Sequence, residues 1–270
     1  MQKRNRPIGI FDSGIGGLTV VREIVKELPR EDIIYFGDTA RLPYGNKSAQ
    51  TVIRFSLENT RFLLKFGVKL IIVACNTSSG LALSTLRRRF KVPILGVIRP
   101  AVKKAVRTSA KGRIGVIATR ATVDSRCYQS EIRRINPANK AFAKECPLFV
   151  PLAEEGWFND EITLKVARKY LGPLLKRDID TLILGCTHYP MLKKVIRKVA
   201  GPRINFVDSA KETALEAKRI LDSFKLCAAS RPSRAKRRFY VSDEPEWFRK
   251  VGRMFLGKKI EFVEKAPCIR

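Results

Sequence analysis

The sequence predicts an α/β fold made of two related lobes, each with a parallel-rich sheet, and an active-site cleft between them. Three observations carry that expectation. Short β-branched runs alternate with helical patterns, as in βα units that build a parallel sheet. The runs are apolar almost throughout, which suits strands covered on both faces. The whole pattern then occurs a second time.

The elements follow in order. Residues 7–11, Pro-Ile-Gly-Ile-Phe, read as a strand, and the glycines after them open a turn. Residues 18–28 have helical spacing and stop at Pro29. Residues 32–36 form the next strand, and 48–66 a long amphipathic helix with Gly67 just beyond its end. Residues 69–74 are an apolar strand, 79–90 a helix, and 92–97 a strand again. The repeat begins at Arg113-Ile114-Gly115-Val116-Ile117-Ala118-Thr119, which matches the first strand and its polar turn. Residues 180–187 match 69–77: each is an apolar run ending in a cysteine followed by hydroxyl or amide residues. The offsets agree, 67 positions from Ile8 to Cys75 and 72 from Ile114 to Cys186. Phe206-Val207-Asp208 reads as a strand end. Beyond it come a helix, a basic linker at 231–238, a strand at 238–242, a helix at 244–256 and a last strand at 259–263. The expected division is residues 1–97 with 210–270 as the first lobe and 98–209 as the second.

Composition narrows the function. The chain has 270 residues, 45% of them hydrophobic, enough for a large core. No apolar run approaches the roughly 20 residues that span a bilayer, and the basic start lacks a secretory pattern, so a cytoplasmic protein with no membrane partner is expected. No two of the six cysteines form a CxxC pair and there is one histidine, which argues against a metal centre. Lys and Arg number 54 against 25 Asp and Glu, a net charge of +29. Such an excess attracts polyanions and acidic small molecules without marking a site. The basic residues are dispersed and densest at 231–238, and no zinc finger, basic zipper or RNA-binding aromatic motif is present. A solvated surface and non-specific nucleic-acid contact are both compatible with it.

Four loops carry chemistry. Asp12-Ser13-Gly14-Ile15-Gly16-Gly17 follows the first strand; its glycines permit close backbone approach, and the next helix offers free N–H groups to an anion. It is neither a Walker loop nor a dinucleotide turn. Read structurally, it is a tight turn with Asp12 as a cap. Residues 37–45 follow the second strand, and Tyr44 there offers a hydroxyl. Cys75-Asn76-Thr77-Ser78 and Cys186-Thr187-His188-Tyr189-Pro190 matter most. A buried cysteine is ordinarily a small hydrophobe. A thiol at a strand end ahead of a helix has its thiolate favoured by the helix dipole. Two of them on opposite walls could exchange protons with both faces of one carbon.

The stretches FDSGIGGLTV, YFGDTARLPYG, ACNTSS and GCTHYP, in this order and spacing, resemble the glutamate racemases. The resemblance runs from about Pro7 to about Ser209 and is looser beyond. It implies two α/β lobes with the tail returning to the first. It implies no pyridoxal phosphate and no metal, and D-glutamate supply for peptidoglycan. By resemblance Cys75 and Cys186 are the catalytic thiols, Asp12 assists the first, and His188 and Glu154 stand near the second. Ser13, Pro43, Tyr44, Gly45, Asn76, Thr77, Thr119, Thr122 and Thr187 match substrate-binding positions, as do Asp12 and His188. Arg99-Pro100 and the high charge depart from the family pattern without touching these residues. An aspartate racemase and a nucleic-acid or topoisomerase-binding protein on a racemase scaffold are the alternatives, and a homodimer is left open.

Overall fold

The computed structural model describes residues 3–228 and 235–267. In order, β1 (Ile8–Asp12), α1 (Leu18–Glu27), β2 (Ile33–Gly37), α2 (Ala49–Leu64), β3 (Leu70–Val73), α3 (Asn76–Leu81), α4 (Leu83–Arg89) and β4 (Ile94–Gly96) make the first half. The chain then crosses through α5 (Ile98–Thr108) to β5 (Arg113–Ala118), α6 (Arg120–Asp124), α7 (Cys127–Ile135), β6 (Lys140–Glu145), α8 (Phe149–Glu154), α9 (Glu161–Leu175), β7 (Thr181–Gly185), α10 (Lys193–Ala200) and β8 (Asn205–Asp208). It returns through α11 (Ser209–Ser223) to β9 (Arg237–Val241), α12 (Pro245–Leu256) and β10 (Glu264–Lys265).

Among the described residues the strands form two sheets, ordered β10-β9-β2-β1-β3-β4 and β6-β5-β7-β8. Every pairing is parallel. β1, β2, β3 and β7 are buried at every position, because helices cover both faces of each sheet. The largest apolar cluster runs continuously from Ile8, Ile10 and Ile72 to Leu182 and Leu184, so one core joins the sheets. Among the described residues no helix is long and apolar enough to cross a membrane.

Two expectations need correction. The helix expected over 79–90 begins earlier, directly after Cys75, and is broken at Ala82, where ψ is −19° and φ −107°. The strand expected over 259–263 is absent. A strand would set Ile260 and Phe262 on the same face. Ile260 is buried in the core, whereas Phe262 is 69% exposed, and pairing with β9 begins only at Glu264.

Candidate active site

The parallel register brings three loops to one end of the first sheet and two to one end of the second. Phe11 pairs with Val73, and Asp12 with Gly37, so the turns after β1, β2 and β3 leave the first sheet together. Ala118 pairs with Gly185, so Thr119 and Cys186 leave the second sheet side by side. These two ends face each other across a narrow cleft. Ser13, Pro43, Tyr44, Gly45, Cys75, Asn76 and Thr77 line one wall. Thr119, Glu154, Cys186, Thr187 and His188 line the other. Both cysteines therefore border one space, and both are buried.

Two expected residues stand just behind the lining. Asp12 is fully buried, and its Oδ2 accepts a hydrogen bond from the Gly14 amide at 3.0 Å. Thr122 bonds Thr77 at 3.1 Å and Thr119 at 2.9 Å, and Thr77 also meets Thr119 at 3.0 Å. This triad of hydroxyls crosses the cleft. The Tyr44 hydroxyl is tied to the Asp38 carboxylate and accepts from Asn59 Nδ2 at 3.1 Å, while the residue itself lines the cleft. Residues 231–234 of the basic linker, and Cys268, lie outside the described residues.

The walls differ electrostatically. Burial, reinforced by the charge of Asp12, pushes the Cys75 thiol up to about 11. Burial also raises the Asp12 carboxyl, although His188 and backbone amides pull the other way. On the opposite wall, His188 Nδ1 is 3.8 Å from Cys186 Sγ, and its Nε2 is 2.9 Å from Glu154 Oε1. Burial alone would lower the imidazole, but its bonds to Cys186 and Glu154 outweigh that and push it up to about 10. The ring is therefore an imidazolium at neutral pH, held between a carboxylate and a sulphur. Phe255 meets it edge-on at 5.2 Å between ring centroids.

Sequence reasoning found the cysteine loops and the close backbone approach that the glycines allow. Gly14, Gly16 and Gly17 do not have positive φ. Their value is close approach: a Cβ on Gly16 would lie 2.3 Å from Thr187 Oγ1 and 2.4 Å from His188 Nδ1. The Cys186 loop packs against bare backbone there. Thr19 supports the same contact, donating to the Thr187 carbonyl at 3.0 Å. Gly14, Leu42 and Val150 line the cleft without having been singled out, and no spacing signal marks them. Among the described residues no group of three His, Cys, Asp or Glu is placed to hold a metal ion.

Comparison with known proteins agrees with this geometry. Residues 8–217 match the family described as Asp/Glu/Hydantoin racemase. A glutamate racemase from Geobacter metallireducens is 49% identical over 255 residues, covering 94% of each chain. Among solved structures, a glutamate racemase isoform from Bacillus anthracis superimposes with a TM-score of 0.94 at 36% identity over 98% of both chains. The glutamate racemase from Francisella tularensis, solved with D-glutamate, gives 0.91 at 40% identity, again over 98% of both chains. With the fold, the paired cysteine loops and these relatives in agreement, the chain belongs to the aspartate/glutamate/hydantoin racemase family, on its glutamate racemase side.

Proposed function

We propose that this isomerase interconverts L- and D-glutamate by a two-thiol mechanism. The observation that carries the reading is that Cys75 and Cys186 both line one small cleft, from opposite sheets. Residues 1–97 with 210–270 supply one wall and 98–209 the other. The acidic substrate suits a basic chain and a cleft rich in hydroxyls and amides. Their hydrogen bonds to the α-carboxylate stabilise the charge that develops when the Cα proton leaves.

In the L-to-D direction, Cys186 takes the proton as the Cα–H bond breaks, and the electron pair spreads into the α-carboxylate. The Cys75 thiol then delivers its proton to the opposite face. The product leaves Cys186 protonated and Cys75 as thiolate, which is the starting state for D-glutamate. His188 and Glu154 set the charge around Cys186, and Asp12 does so around Cys75. Ser13, Asn76, Thr77, Thr119 and Thr187 hold the substrate, with the backbone at Pro43, Tyr44 and Gly45. No cofactor enters these steps. In a walled bacterium the product would serve peptidoglycan synthesis, hence cell-wall biogenesis and cell shape, from the cytoplasm.

Circular dichroism of L-glutamate with the protein and no added cofactor tests the reading. The signal is expected to decay to zero, because enantiomers have equal free energy in water. In heavy water the product is expected to carry deuterium at Cα. A stable signal, or product without α-deuterium, refutes the mechanism; racemisation of aspartate alone refutes the substrate.

One observation favours a second property. Arg22, Lys26, Arg237, Arg238, Lys258 and Lys259 line a groove away from the cleft, outnumbering Glu261 and Glu264 in it. Contact there with nucleic-acid phosphates would be sequence-independent and would weaken steeply with salt. Replacing Arg237, Arg238, Lys258 and Lys259 by glutamine is expected to weaken binding of a DNA oligonucleotide and leave turnover intact. No binding by the parent protein at low salt removes this property.

A further inference from the structure

We infer that Tyr128 is a positioning residue that holds the two thiol-bearing loops in register; the inference rests on the two-thiol reading above. Tyr128 belongs to α7, does not line the cleft, and is 1% exposed. Its hydroxyl nevertheless lies between the two loops. Asn76, the residue after Cys75, donates from Nδ2 to Tyr128 Oη at 2.8 Å. Oη lies 3.5 Å from Ser209 Oγ, and Ser209 donates its own proton to the Leu184 carbonyl at 3.0 Å. With the Ser209 proton committed, the Tyr128 O–H is the donor between them. The bonds then run in one direction, from the amide beside Cys75 to the carbonyl two residues before Cys186. Burial holds the phenol protonated, so it stays a donor through catalysis.

Two glycines make room for this link. A Cβ on Gly185, next to Cys186, would lie 3.1 Å from the Tyr128 ring and 2.8 Å from the Ile117 carbonyl. A Cβ on Gly80, in the helix that starts at Cys75, would lie 2.8 Å from the sulphur of neighbouring Cys127. Small residues beside each catalytic loop thus let α7 press against both. The Thr77–Thr119–Thr122 bonds also cross the cleft, but Thr77 and Thr119 line it, so a substrate competes for them. Tyr128 and Ser209 sit behind the cleft; Asn76 lines it, but its Nδ2 carries a second hydrogen and its Oδ1 is free of the Tyr128 bond, so it can meet a substrate with the link intact.

Register matters for one reaction and not for another. Racemisation needs both sulphurs on a line through Cα, and an error of about 1 Å can cost on the order of 100-fold. Elimination from 3-chloroalanine needs one sulphur. That sulphur takes the Cα proton, the electron pair forms the Cα=Cβ bond, and chloride leaves. Tyr128→Phe keeps the ring and removes the hydroxyl. Its racemisation kcat is expected to fall at least ~10-fold, while elimination from either enantiomer of 3-chloroalanine falls less than ~3-fold. Ser209→Ala, which cuts the far leg, is expected to shift the ratio of the two reactions the same way. The double variant is expected to be no worse than Tyr128→Phe alone. Equal loss in both reactions, additive effects, or no change in the ratio overturns the inference. If Tyr128→Phe does not fold, as judged by its melting curve, Ser209→Ala carries the test alone. Racemisation that survives in Cys75→Ser or Cys186→Ser would instead overturn the two-thiol reading itself.

Discussion

The Cys75 wall and the Cys186 wall are built alike and charged differently. Each sulphur follows an apolar parallel strand, β3 or β7, and precedes a helical turn. Around Cys75 the ionisable neighbour is the buried carboxyl of Asp12, which opposes a second negative charge. Around Cys186 the neighbour is an imidazolium anchored by Glu154. The fold therefore sets a carboxyl beside Cys75 and a cation beside Cys186. Thermodynamics limits how this asymmetry can be seen. With an equilibrium constant of one, kcat/KM must stay equal in the two directions whatever the variant. The walls are told apart by half-reactions, and elimination from each enantiomer of 3-chloroalanine supplies them.

The largest effect is expected from the sulphurs. Cys75→Ser and Cys186→Ser should each lower racemisation by roughly 1000-fold or more, since a positioned acid or base contributes about 10²–10⁴ and a hydroxyl is a poor substitute. Cys75→Ser should still eliminate from the L-analogue and Cys186→Ser from the D-analogue. Chloride release measures both. Variants that are folded yet inactive on both analogues would show that the thiols do not face opposite sides of Cα. Serine at Cys127, Cys146 or Cys227, none of which lines the cleft, should leave racemisation largely unchanged.

Gly16→Ala comes next, at about 100-fold on racemisation. Its methyl would collide with Thr187 Oγ1 and His188 Nδ1, so the second catalytic loop must move while the Cys75 strand stays. Elimination from the L-analogue should fall with racemisation, and elimination from the D-analogue should fall less. A variant as active as the parent would mean that the loop yields easily and that close packing there is dispensable.

Glu154→Gln removes the carboxylate that anchors His188 and should slow L-analogue elimination by roughly 10- to 100-fold, as loss of an orienting partner does elsewhere. The D-analogue should respond weakly. Asp12→Asn should do the reverse if Asp12 serves Cys75. Equal losses on both analogues in either variant would dissolve the distinction between the walls.

The pH dependence follows from the same groups. Cys75 must be a thiolate to attack the D-analogue, and its thiol is pushed up to about 11. Below that value the thiolate fraction rises about tenfold per pH unit, so D-analogue elimination should climb between pH 7 and 9. His188 keeps its proton until about pH 10, so the charge beside Cys186 does not change over that interval and L-analogue elimination should climb less steeply. Initial rates of chloride release across this range decide it. Parallel slopes would mean that the walls titrate as one unit.

Much of this comparison was legible in the sequence, because alternation, strand composition and repeated strand-cysteine endings are local patterns. The strand over β7 and the loop at Cys186 follow from eight consecutive residues. What stayed hidden depends on chain returns. Glu154 and His188 are 34 positions apart, and only the resemblance, not any spacing rule, paired them. Gly16 reads as a place of close backbone approach, but what approaches it is hidden until residues 187 and 188 are seen against it. Tyr44 reads as a free hydroxyl until Asp38 and Asn59 are found on it. Tyr128 stands on an ordinary amphipathic helix and gives no signal in one dimension. The segment 259–263 alternates like a strand, yet Ile260 is drawn into the core instead of pairing.

The smallest effect concerns Thr19, and it asks how the first sheet steadies the second wall. Thr19 lies in α1 and is fully buried. Its hydroxyl is within bonding distance of the Gly16 carbonyl, at 2.9 Å, and of the Thr187 carbonyl, at 3.0 Å. Gly16 also accepts from the Thr19 amide, so losing the hydroxyl leaves it bonded. Thr187 has no such reserve on its buried carbonyl among the bonds described. Thr19→Val matches the shape and removes the donor, which should cost about 1–3 kcal/mol of stability for the unpaired carbonyl. Thr19→Ser keeps the hydroxyl and should lose less. Because Thr187 stands between Cys186 and His188, Thr19→Val should also slow L-analogue elimination a few-fold and spare the D-analogue. Denaturant unfolding gives the first quantity and chloride release the second. A destabilised variant with unchanged elimination from both analogues would make Thr19 a strut for the fold alone, with the Cys186 loop positioned by Gly16 and Tyr128.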